Sequence, residues 1–213
     1  PVVFSNELAP YGALPWVVES GDGFTLAEHT DQDACDGKPF GRMTAFHGQM
    51  GMFVRSLAYM MSHGADGLRQ VAEDSVLSAN YLLARLKDVM PPSFEGPCMH
   101  EALFDDRFLS GTEVTTLDFS KAMIDEGFHP MTMYFPLVVH GALLIEPTET
   151  ESRDSLDEFV MALRGLVADV QSGNTARFSG APYLSPRNRL DETTAARTPV
   201  LRWAPPAPSE AAE

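Results

Sequence analysis

Ala142-Leu143-Leu144-Ile145-Glu146-Pro147-Thr148-Glu149-Thr150-Glu151-Ser152 changes its hydrophobic period midway, and that change decides the fold class. Its short apolar start reads as a buried strand. Beyond it, Leu156, Phe159, Val160, Leu163, Val167 and Val170 recur at steps of three and four. That spacing predicts one face of a helix, with Ser152 near its amino end and Gly173 past its carboxy end. Glu146, Glu149 and Glu151 between the two could act as acid or base. The stronger reading is plainer: acidic groups at a helix amino terminus offset its partial positive charge by about 0.3–1 kcal/mol each.

Working outward, Met131 to Val139 is a second apolar run of strand length, with Pro136 marking an edge or a break. Thr115-x-x-Asp118 opens a helix in the manner of a capping box, and Gly127 closes it. Cys98 to Phe104 reads as a further strand. Leu68, Val71, Ala72, Ala79, Leu82, Leu83, Leu86 and Met90 form one helical stripe that stops at Pro91-Pro92. Ala45 to about Ser62 predicts another helix on Phe46, Met50, Phe53, Val54, Leu57 and Met61. Gly48 and Gly51 cost that helix about 1 kcal/mol each relative to Ala, so close approach of a second backbone is their expected use. Trp16-Val17-Val18 and Phe24-Thr25-Leu26 flank Gly21-Asp22-Gly23 as a hairpin. From Asn174 onward the chain reads as irregular, and Ala204 to Glu213 as a disordered Pro/Ala/Glu tail. The order helix, helix, strand, helix, strand, strand, helix gives an α+β domain with helices on one face of a small, mainly antiparallel sheet. The expected organisation is 1–40 as the end of a larger domain and an arm, 41–173 as linker helices and a small α+β domain, 174–203 as a carboxy-terminal extension, and 204–213 as the tail.

The 213 residues are 44% hydrophobic and 21% charged, the composition of a folded globular chain. A net charge of −15 repels phosphate backbones and anionic lipid headgroups, so neither nucleic acid nor a membrane surface is an expected partner. Arg55 interrupts the most apolar helix, which leaves no span of about 20 apolar residues. Cys35 and Cys98 form no Cys-x2-Cys motif, a usage that fits a reducing cytoplasm. The chain opens on Pro1-Val2-Val3-Phe4 without a methionine or a leader pattern, and is expected to be the later part of something longer.

His29, His47, His63, His100, His129 and His140 stand singly, without the spacing of a metal site, and no metal is expected. Gly96-Pro97-Cys98-Met99-His100-Glu101 turns Cys, His and Glu onto the start of a strand, where a site edge could form. For His100, and for His129 in Gly127-Phe128-His129-Pro130, a structural role outweighs a catalytic one. Cys98 reads as a small hydrophobe. Arg187, Arg189, Arg197 and Arg202 stand out in an acidic chain, and could recognise an anion or simply form surface ion pairs.

Taken together and in order, certain segments resemble one family. They are Gly41-Arg42 to Tyr59, Asn80-Tyr81-Leu82 through Arg85-Leu86, Gly96 to Glu101, Thr116-Leu117-Asp118, Gly127 to Pro130, Tyr134-Phe135-Pro136-Leu137, Ile145 to Ser152, and Arg189-Leu190-Asp191-Glu192 with Ala195-Ala196-Arg197 and Pro199-Val200-Leu201-Arg202. The chain resembles the carboxy-terminal part of the P-protein of the glycine cleavage system, glycine dehydrogenase (decarboxylating), and most closely subunit 2 of the bacterial enzymes that divide it in two.

The resemblance implies the small carboxy-terminal domain of a fold-type I, aspartate aminotransferase-like enzyme plus the end of its large domain. It implies pyridoxal 5'-phosphate as cofactor, whose ring accepts the electrons left when glycine loses carbon dioxide. It further implies transfer of the aminomethyl group to the lipoyl arm of the H-protein, and a hetero-oligomer with glycine dehydrogenase subunit 1. In the family a His-Lys segment followed by glycines carries the Schiff-base lysine, and it would precede Pro1. Lys38, Lys87 and Lys121 lack that context. The chain alone is therefore expected to be inactive, with the cofactor held mainly upstream. Arg42, His100, His129 and Arg197 are the expected edge of the substrate site. A non-catalytic subunit-docking module and another fold-type I enzyme are the alternatives.

Overall fold

The computed structural model describes residues 4–27, 39–43 and 48–205. His29, Cys35, Lys38, Phe46, His47 and residues 206–213 of the expected tail lie outside them. The chain divides into two compact units, Pro1–Gly64 and Ala65–Glu213.

In the first unit, β1 (Trp16–Ser20) pairs antiparallel with β2 (Gly23–Ala27) in the register Ser20↔Gly23. Gly21-Asp22 is therefore a two-residue turn, with Gly21 at a φ of 60° that glycine adopts without steric cost. This is the hairpin read from the sequence. Leu14 and Ala27 are buried, with Trp16 and Val18 against them. Leu14 also forms a parallel bridge to Arg42 and accepts the Met43 N–H at 2.8 Å.

Helix α1 (Met50–Leu86) is interrupted at Gly64, whose φ of 65° and ψ of −176° lie in a region essentially restricted to glycine. Residues 50–63 belong to the first unit and leave Met50, Phe53, Val54, Leu57, Met60 and Met61 exposed. The expected backbone approach is not found, since a Cβ on Gly51 would meet nothing within 4 Å. Gly48 instead has a φ of 106° just before the helix, under the Phe53 ring, and acts as a turn residue.

The second unit holds a true core. Residues 65–86 of α1 bury Ala79, Leu82 and Leu86, with Met90 just beyond, whereas the amino end of the same stripe does not reach the core and Ala72 is exposed. Strands β3 (Ala102–Phe104), β4 (Thr132–Met133) and β5 (Leu143–Ile145) form an antiparallel sheet in the order β3-β5-β4. The strand that opens the decisive stretch is thus the central one. Helix α2 (Thr116–Asp125) begins with both bonds of the capping box. It ends in a Schellman motif: Gly127 N–H donates to Ile124 O, Phe128 N–H to Met123 O, and Gly127 sits at a φ of 86°. Helix α3 (Arg153–Gln171) is capped by Ser152 Oγ, which accepts the Ser155 N–H at 3.1 Å. Phe104, Phe119, Leu143, Val160, Leu163 and Phe178 are fully buried together. Phe119 meets Phe108 edge-on at 5.1 Å and stacks with Phe178 at 6.3 Å.

Two expected strands need correction. The strand expected from Cys98 begins only at Ala102. Both backbone groups of Cys98 are taken by the Asn80 amide, which donates to Cys98 O at 2.7 Å and accepts its N–H at 3.0 Å, so no strand ladder forms there. The strand expected over Met131–Val139 stops at Met133, because Tyr134 has a φ of 56° and turns the chain into an exposed loop. The loop is tied at its base by Thr116 Oγ1, donating to Gly141 O at 3.1 Å, and by a His140–Asp106 pair at 3.0 Å.

Beyond Asn174 the chain is not wholly irregular. It forms α4 (Ala176–Ser179), which anchors Phe178 in the core, and α5 (Glu192–Arg197), capped by Asp191. Arg189 fastens this extension by donating to Ala181 O, Phe178 O and the Asp118 carboxylate. Asp125 accepts the Tyr183 and Leu184 N–H groups at 2.7–2.9 Å.

Candidate functional site

A cavity of about 450 Å³ opens in the second unit between the Phe128–Met131 turn, the β4–β5 edge, the Glu146–Glu151 loop and the first turns of α3. Its size suits a small ligand. Each wall follows from local chemistry. The Schellman turn at Gly127 redirects the chain so that Phe128 meets Phe159 edge-on at 5.3 Å, and His129 follows on the cavity wall. On the opposite side Pro147, without an N–H, ends the β5 ladder. The loop then winds tightly, with Glu151 N–H donating to Thr148 O at 3.3 Å, and places Glu146, Thr148 and Glu151 along the mouth. The Gly127–Pro130 and Ile145–Ser152 segments, separate in sequence, are facing walls of one cavity.

The sheet register adds a rim. Ala102 pairs with Ile145, so Glu101 and Glu146 stand side by side at the strand ends. His100 Nε2 lies 3.8 Å from Glu101 Oε1 and 3.9 Å from Glu146 Oε1, beyond hydrogen-bond range. No His spacing in the sequence foretells this trio, whose donor atoms lie within 4.8 Å of one another. It is an open cluster, with the His100 side chain 53% exposed.

Of the four expected edge residues, His129 lines the cavity and His100 stands beside Glu146, which also lines it. Arg42 and Arg197 are not among the lining residues. Arg42 belongs to the first unit, and Arg197 is exposed in the last turn of α5. The described lysines, Lys87 and Lys121, do not line the cavity, and neither does any arginine. Two carboxylates at its mouth would repel a phosphate. The described residues therefore do not fit pyridoxal phosphate as an anchor.

The structure also gives work to residues that had none. Asp157 accepts from the Tyr81 hydroxyl and from Arg85 Nη1 at 2.9 Å. The Tyr81 bond, opposed by partial burial and aided by Arg85 and Arg153, holds its carboxyl below the ordinary value. Burial acts to raise Asp118, but hydrogen bonds from Thr115 and Arg189 outweigh it and the carboxyl is lowered. Burial raises the Cys98 thiol, which keeps it protonated and supports its reading as a small hydrophobe. Tyr81, Arg85, Asp118 and Arg189 all lie in the segments that carry the family resemblance, and here they brace the fold.

By its fold the second unit is a small α+β domain with helices packed on a three-stranded antiparallel sheet. The crystal structure of a glycine decarboxylase (P-protein) of the glycine cleavage system, in inhibitor-bound form, is similar to this chain with a TM-score of 0.59 and 21% identity, over 76% of this chain and 37% of that one. The family model for the glycine dehydrogenase C-terminal domain matches residues 71–181, and the chain belongs to that family. A probable glycine dehydrogenase (decarboxylating) subunit 2 of Caulobacter vibrioides is 68% identical over 207 residues, 96% of this chain and 39% of the relative. One from Kosmotoga olearia is 39% identical over 206 residues, 96% of this chain and 41% of the relative. The chain thus spans about two fifths of the length of these relatives.

Proposed function

We propose that this chain is the carboxy-terminal part of subunit 2 of a glycine dehydrogenase (decarboxylating), which works in the cytoplasm with a subunit 1. In this reading the complete enzyme decarboxylates glycine on pyridoxal phosphate and passes the aminomethyl group to the lipoyl arm of an H-protein. The observation that carries it is 68% identity to such a subunit over nearly the whole chain. The cofactor supplies the electron sink. The chain's own residues supply one side of the substrate site: His129 and the His100–Glu146 rim hydrogen-bond the substrate, while the apolar floor of Leu82, Phe128, Leu156 and Phe159 excludes water. Arg42 and Arg197 are proposed as further contacts made in the complete assembly.

The test is glycine-dependent exchange of labelled carbon dioxide by full-length subunit 2 with subunit 1 and H-protein. Exchange is expected there, together with loss on His129→Ala. The 213-residue chain mixed with pyridoxal phosphate is expected to show neither exchange nor cofactor absorbance. No exchange in the complete assembly overturns the reading. Undiminished turnover and glycine affinity in Arg197→Ala removes that residue from it.

A further inference from the structure

Residues 50–63 of α1 present a face that the described chain leaves bare. At 100° per residue Met50, Phe53, Val54, Leu57, Met60 and Met61 fall within an arc of about 120°, the width of a core-facing stripe. Phe53 is 56% exposed, Leu57 53% and Met61 76%. Arg55 and Ser62 lie on the opposite side. Among the described residues the first unit's core is Leu14 and Ala27 with Trp16 and Val18, and it draws nothing from this helix. Fully burying side chains of this size is worth about 1.5–3 kcal/mol each, so a six-residue stripe is a strong drive toward some partner.

Three occupants compete. Among the described residues no helix is long and apolar enough to cross a bilayer, and a net charge of −15 opposes lying on an anionic one. A second copy is disfavoured by charge, because each chain carries −15 and the two repel. The remaining candidate is the polypeptide that the relatives carry outside the matched region. The chain spans only 39–41% of the relatives' length, and its family model describes a carboxy-terminal domain. We propose that the Met50–Met61 stripe is a docking face for the amino-terminal portion of the full-length polypeptide, and that residues 50–63 complete that portion's hydrophobic core. This docking face rests on the reading of the chain as the carboxy-terminal part of a longer polypeptide, and not on glycine being the substrate.

The experiment compares the full-length polypeptide with the 213-residue chain. Amide hydrogen exchange over residues 50–63 of the unmutated proteins is expected to slow by about tenfold or more in the full-length form. Leu57→Cys is expected to lose iodoacetamide reactivity to a similar degree there, read peptide by peptide by mass spectrometry, while Ser62→Cys, on the opposite side, stays reactive in both. Equal exchange and equal labelling in the two forms overturn the proposal. So does protection that rises with protein concentration, which makes the occupant a second copy, or protection that appears only with phosphatidylcholine vesicles, which makes it a lipid surface.

Discussion

The two arms of α1 carry the same apolar spacing and end differently. Residues 65–86 deliver Leu82 and Leu86 into a core with Phe104, Leu143 and Leu163, whereas residues 50–63 hold Phe53, Leu57 and Met61 in solvent. A period of three and four specifies that a face exists, but not what covers it. The second unit contains the strands and helices that use its stripe, and the first contains a hairpin with a small core of its own.

The largest expected effect separates the units outright. Residues 65–205 expressed alone are expected to melt cooperatively in calorimetry, while residues 1–64 alone give the circular dichroism of an unfolded chain. A cooperative melt from the shorter piece breaks the contrast. Next, Leu86→Ala is expected to cost about 2–5 kcal/mol in urea unfolding, as for other buried leucines. Leu57→Ala in the same 213-residue chain is expected to stay within about 0.5 kcal/mol.

Glycines sharpen the comparison through the sign of the effect. A Cβ on Gly141, at a φ of 57°, would overlap the Asp106 carboxylate, and Gly141→Ala is expected to lose about 1–3 kcal/mol. Gly51→Ala, in open space within a helix, is expected to raise helix content and contribute about 0.5–1 kcal/mol.

The smallest effect is acid sensitivity in the second unit. Asp118 and Asp157 are lowered from the ordinary value of 3.8, so their stabilisation is complete above it and is lost as pH falls through the lowered values. The melting temperature of residues 65–205 is expected to hold from about pH 7 to 5 and to drop below about pH 4, with Asp118→Asn flattening part of the fall.

Much of this was legible in the residues. The Thr115–Asp118 capping box, the Gly127 stop, the Ser152 cap and the Gly21-Asp22 turn are local chemistry, and each forms as its spacing implies. The α+β class followed from the period change after Ile145. What stayed hidden is non-local. That a side-chain amide from position 80 would occupy Cys98 and shorten a strand is a meeting across 18 residues. Likewise the cavity exists because β5 lies between β3 and β4, which brings His129 and Glu146 to one opening. Arg189 read as either an anion-recognising or a surface ion-pairing residue near a chain end; it does pair with an acid, Asp118, but its other two acceptors are backbone carbonyls in and after α4.

The glycine at position 64 makes substitution and insertion behave differently. Its backbone angles reject even a methyl group, yet nothing stands within 4 Å of where one would go. Flexible spacer residues added at this joint should be absorbed at little cost. A gene divided there would yield one product competent to fold unaided and another that waits for its counterpart, which makes the site a natural splice point for building chimaeras between relatives.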